Sequence, residues 1–180
     1  MERYAARSLK TTPMIYRHQP DRGRYHQSLY DDDYCLKPPT LLWLALAFLS
    51  RGALLPILAG LGHYARVNTD AVALMRGLWR PDQLFPALFA VPVLYSLIRR
   101  TPRAARPVRW IWRQGRMLLA VAAASDIALA LYSLKPFGDF DGETFLALGA
   151  CATDAYFLLY ALFARRLRDA FADFPPRLSA

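Results

Sequence analysis

Four apolar blocks, separated by segments that hold nearly all of the charge, restrict what this 180-residue chain can fold into. They cover residues 40–61, 84–98, 117–134 and 144–164. An α-helix of about 20 residues, rising about 1.5 Å per residue, crosses the roughly 30 Å hydrocarbon core of a bilayer. A globular helix of this size would instead mix apolar and polar positions around each turn. With 55% hydrophobic residues, the chain also exceeds an ordinary soluble domain. The expected fold is therefore all-α: a polytopic membrane protein with four transmembrane helices in a bundle, occupying residues 29–168. Residues 1–28 form a predicted disordered extension and 169–180 a tail.

Orientation follows from where Lys and Arg fall outside the blocks. Residues 1–39 carry seven, 99–116 seven and 165–180 four, against three in 62–83 and one in 135–143. Eighteen against four puts both termini and the central loop on the cytoplasmic side. A net charge of +9 would suggest nucleic acid in a soluble protein. Here the cations flank apolar blocks, where anionic lipid headgroups are the expected partner and nucleic acid is not. Arg99, Arg100, Arg103, Arg106, Arg109, Arg113 and Arg116, with Trp110 and Trp112, form the predicted lipid-interface set. Trp43 and Trp79 sit at block edges in the same way.

The connectors carry further expectations. Val72, Met75, Leu78 and Trp79 recur at helical spacing after Asn68 and Thr69, predicting a helix over 69–79 on the periplasmic surface. Residues 107–116 read as an interfacial anchor helix. Pro86 and Pro92 make the short second block the place where a bend is expected. The N-terminal 39 residues are polar and lack a signal peptide's apolar stretch, and Met14 is an alternative start.

Three ionisable residues inside the blocks need a reason, since each costs roughly 2.5–3.5 kcal/mol at mid-bilayer on insertion scales. Arg51, Asp126 and Asp154 each fall about halfway along their blocks, so they are expected at one depth and in contact, assisted by Ser50, Ser125 and Thr153. Their primary reading is an assembly device that sets helix register. The alternative is that the surplus carboxylate holds a proton or cation.

Other constellations are weaker. Asp31, Asp32 and Asp33 could attract a divalent cation, but a solvated turn is the expected reading because no further ligands are in view. His18, His26 and His63 lack ligand spacing, so no metal site is expected. Cys35 precedes the first block and Cys151 lies within the fourth, too far apart to pair. Phosphate loops, dinucleotide fingerprints and nucleophile elbows are absent from the sequence, and the expectation is a non-enzyme without cofactors.

Residues 30–51, YDDDYCLKPPTLLWLALAFLSR, resemble the YfeZ-like family of bacterial inner-membrane proteins. The matching features are Asp33 and Tyr34, then Leu36, Lys37 and Pro38, then Leu42, Trp43 and Leu44 leading to Arg51. The resemblance would extend over about 30–165. It implies a multi-span protein of the bacterial cytoplasmic membrane with no assigned substrate, catalytic residue or cofactor. The leading expectation for function is a scaffold or accessory subunit, as a homo-oligomer or within a larger inner-membrane complex; the alternative is a small proton- or cation-coupled carrier using the intramembrane Asp residues.

Overall fold

The computed structural model describes residues 25–31, 35–64, 69–133 and 142–175, and its regular elements are all helical. Most of the predicted disordered extension lies outside the described residues, as do Met14, His18, Asp32, Asp33 and the connector 134–141. The chain is α1 (Thr40–Leu49), α2 (Arg51–Tyr64), α3 (Thr69–Leu78), α4 (Leu84–Ile98), α5 (Arg106–Ser133), α6 (Gly142–Phe163) and α7 (Arg165–Ala172).

The central element is α5, which packs against both α4 and α6. Alanines bring the backbones close: Ala87 and Ala90 on α4, Ala120, Ala122 and Ala123 on α5, and Ala161 on α6 are all buried. Large apolar side chains such as Leu88, Tyr95, Met117, Leu146 and Leu159 face outward instead. Three helical stretches, Pro81–Ile98, Arg106–Tyr132 and Thr144–Phe163, are long and apolar enough to cross a membrane; α1 and α2 together supply a fourth. That outward apolar surface suits lipid, which solvates it without cost.

The first block is not a straight span. It bends by 76° between α1 and α2 at Ser50, where the sequence predicts a continuous helix. Ser50, at φ −87° and ψ 1°, closes α1, and its carbonyl accepts from the N–H groups of Ala53 and Leu54 to start α2. Pro56 explains part of this local chemistry. It has no N–H for the carbonyl four residues earlier, that of Gly52. The indole N–H of Trp79 donates to that carbonyl at 2.8 Å instead. Gly52 is also packed directly on the backbone of Gln83, with no room for a Cβ. Trp79→Phe should therefore strand the Gly52 carbonyl and cost about 1–3 kcal/mol, measured as a lower unfolding midpoint in lipid discs; an unchanged midpoint would show that water replaces the indole.

The prolines of the second block do not interrupt it: Pro86 and Pro92 sit within the single helix α4. Residues 107–116 are helical and form the first turns of α5, continuous with the span. The helix expected over 69–79 is present as α3, and its buried Val72 meets α2 at Gly62.

One end of the molecule is a cap built from three distant segments. The Leu36 N–H donates to Asp173 Oδ2 at 2.7 Å, and Tyr25 Oη donates to Asp169 Oδ2 at 2.8 Å. Arg100 donates to the carbonyls of Leu36 and Asp173 at 2.9 and 3.0 Å. The N-terminal segment, the α4–α5 loop and α7 thus meet at the same end. Helix α7 was not anticipated from the sequence, although Leu167, Ala170, Phe171 and Phe174 carry a helical stripe; the first three are buried.

Candidate functional site

The break at Ser50 turns Arg51, the first residue of α2, toward α5. Its Nη2 lies 2.7 Å from Asp126 Oδ2, while its Nη1 donates to the Phe48 carbonyl at 3.0 Å and its guanidinium stacks 4.2 Å from the Phe48 ring centroid. No N–H is aligned on Asp126 Oδ2, so the contact is one of charge rather than a directed hydrogen bond. Phe48 in turn packs on Phe157 of α6, with centroids 5.7 Å apart, which places α6 beside the pair.

Asp154 completes the group from α6. It is fully buried, and among the described residues neither of its carboxyl oxygens has a hydrogen-bond partner. Asp126 and Arg51 are the charges that act on it. The three residues named from the sequence are therefore brought together, with a graded burial. The side chains of Arg51 and Asp126 are 21% and 6% exposed, and Asp154 is enclosed. Cys151, one turn before Asp154, lies within electrostatic range of both carboxyls as a free thiol.

Depth can be read along the helices. Arg116 donates to the carbonyls of Ala161 and Leu162 at 2.8 and 2.7 Å, so its position marks the C-terminal end of α6. Asp126 lies ten residues further along α5, about 15 Å at the helical rise. Asp154 lies eight residues before Leu162 on α6, about 12 Å from the same end. Both carboxyls thus lie about 12–15 Å from the same end of the α5–α6 pair, about half the thickness of a roughly 30 Å hydrocarbon core.

Among the described residues, none of the three hydroxyls expected to help bonds to the cluster. Ser125 donates to Ala122 O and Thr153 to Gly149 O, each within its own helix. Ser50 Oγ is buried without a hydrogen-bond partner. Nothing donates to Asp154 from these neighbours, so two carboxyls face a single cation.

The lipid-interface set divides in two. Arg99, Arg103, Arg106, Trp110 and Arg113 are exposed. Trp112, expected at a membrane surface, is instead fully buried: its indole N–H reaches Ala170 O at 3.1 Å and Asp173 O at 3.2 Å, and its ring packs 4.7 Å from Phe171. Arg109 donates to Pro102 O and Pro175 O at 2.7 and 2.8 Å, and Arg116 to the end of α6. With Arg100, these arginines satisfy carbonyls at helix and loop ends, where a guanidinium's several donors are matched. Spacing could not separate the two groups, because all nine residues lie in one basic stretch.

Neither a curated protein nor a solved structure matches this chain. A family model described as "Protein of unknown function (DUF2919)" matches residues 25–173, nearly the same extent as the cap and helices described above. The chain therefore belongs to that family of uncharacterised proteins.

Proposed function

We propose that this protein is a small carrier of the bacterial cytoplasmic membrane that couples to a proton or small cation at Asp154. The observation that supports this reading is the surplus carboxyl. A structural ion pair needs Arg51 and Asp126 alone, yet a second acid, fully buried and without a hydrogen-bond donor, is held beside them. Keeping such a group in a dry interior costs stability, and exchange of a proton or cation is the use that rewards it. The broken first span adds to this, since discontinuous helices commonly frame ion sites in carriers. Four short spans enclose little pathway, which favours a homo-oligomer as the working form.

The end that carries the N-terminal segment, the α4–α5 loop and α7 faces the cytoplasm in this reading, because the sequence segments 1–39, 99–116 and 165–180 carry eighteen of the twenty-two flanking cations. Exposed Arg99, Arg103, Arg106 and Arg113 then meet anionic headgroups. The protein carries out no covalent chemistry and needs no cofactor. The YfeZ-like resemblance of residues 30–51 points to the same membrane.

The test is water access. In a chain with Cys35→Ser and Cys151→Ser, Asp154→Cys should react with a small soluble thiol reagent from at least one side of sealed vesicles. Resistance from both sides, in folded protein, would reject the carrier.

The cap favours a second reading, an accessory subunit of a larger membrane assembly. Arg100, Arg109 and Trp112 fasten α7 and the N-terminal segment into one platform. That reading expects a stoichiometric partner or a self-assembly in mild detergent, and a monomer in lipid discs would remove it.

A further inference from the structure

We propose that the ligand of this site is a proton shared between Asp126 and Asp154, and that a metal cation does not occupy it. The inference rests on the carrier reading and narrows it. Two carboxyl groups stand close enough to act on one another, both are acceptors when ionised, and among the described residues neither Asp154 oxygen has a donor. With both charged, the three side chains carry a net charge of minus one in a low-dielectric interior. One added proton brings the group to neutrality. It also supplies the missing donor: an O–H forms on one carboxyl and donates to the other, while Asp126 keeps its contact with Arg51.

A metal fits poorly. Hard cations take about six oxygen ligands. Among the described residues no three His, Cys, Asp or Glu side chains gather as a ligand set, and the hydroxyls of Ser125 and Thr153 are turned to their own helices. The Arg51 guanidinium already stands 2.7 Å from Asp126, where it would repel a second cation. The charged and titratable groups around Asp154 are Arg51 from α2, Asp126 from α5 and Cys151 from its own helix. In the exchange nothing is oxidised or reduced: the proton enters from water at one membrane face and leaves to water, and the cluster alternates between neutral and singly negative.

Infrared difference spectroscopy on the full chain in lipid vesicles tests this directly. At neutral pH the wild type should show the carbonyl stretch of one protonated carboxylic acid, shifted when deuterium oxide replaces water. The band should be lost in Asp154→Asn and be titrated away at alkaline pH. Raising sodium, potassium, magnesium or calcium a hundredfold should leave it unchanged. The alkaline titration needs only wild-type protein, so poor folding of Asp154→Asn does not blunt the test, and Asp126→Asn gives a second variant. A band that appears only when metal cations are removed would overturn the shared proton and leave a cation carrier standing. The absence of both a protonated carboxyl and any cation-dependent change would overturn the inference and the carrier reading together.

Discussion

Arg51→Leu is expected to lower the stability of the membrane-inserted protein by about 3 kcal/mol, the lower end of what removing one partner from a buried pair costs. The lower end applies because the Arg51 side chain retains 21% exposure. Two carboxyls would then share a buried site with no cation. Asp126→Leu should also destabilise, by less, since the guanidinium loses its 2.7 Å partner but keeps the Phe48 carbonyl and ring and the nearby Asp154 charge. The Arg51→Leu/Asp126→Leu double variant should recover most of the loss, because matched apolar side chains replace a buried pair well. Asp154→Leu should be close to neutral, because it removes a buried surplus acid with no donor besides the shared proton and leaves the Arg51–Asp126 pair matched. Inserted yield and unfolding midpoint in lipid discs measure all four. If Asp154→Leu destabilises as much as Asp126→Leu, and only the Arg51–Asp154 double variant recovers, then Asp154 is the structural partner and the surplus acid is Asp126.

The second large effect lies at the cap. Trp112→Ala should cost about 3–5 kcal/mol, the usual range for deleting a buried large aromatic. The ring fills the space between Phe171 and Phe174, with centroids 4.7 and 6.4 Å away, and lies under the Arg100 guanidinium at 5.0 Å. Trp112→Phe keeps most of that packing but leaves the Ala170 and Asp173 carbonyls without the indole donor, for about 1–2 kcal/mol. The loss should be local. Hydrogen exchange in α7 should rise well before exchange in α5 and α6, because Phe171 seats α7 on the Trp112 ring and on the close face at Gly115. Equal loosening of α7 and the spans would show that the cap and the membrane helices unfold as one unit.

Much of the architecture is legible without coordinates. Apolar run length marks the stretches that can cross a bilayer, and α4 begins and ends at the residues bounding the second block. Similar fractional position along three blocks was enough to bring Arg51, Asp126 and Asp154 together, since a buried charge far from any partner is too costly to keep. What run length cannot read is where a helix stops being straight. Pro86 and Pro92 signal a bend more strongly than Ser50 does, yet α4 continues through both prolines and the chain breaks at Ser50.

That difference reflects what each source contains. Composition and periodicity report how a residue partitions between water and lipid, which is a property of the side chain and its near neighbours. They therefore determined the helical class, the candidate spans and the depth of the charges. Tertiary structure alone decided which partner satisfies each polar group: Trp79 for the Gly52 carbonyl that Pro56 cannot serve, Arg116 for the end of α6, and Trp112 for α7 rather than for lipid. It also decided that Arg51 reaches Asp126 while Asp154 is enclosed without a donor. Those pairings join residues 27 to 75 positions apart, and a hydrogen bond or ion pair at such separation depends on where packing brings two backbones, which no local pattern encodes.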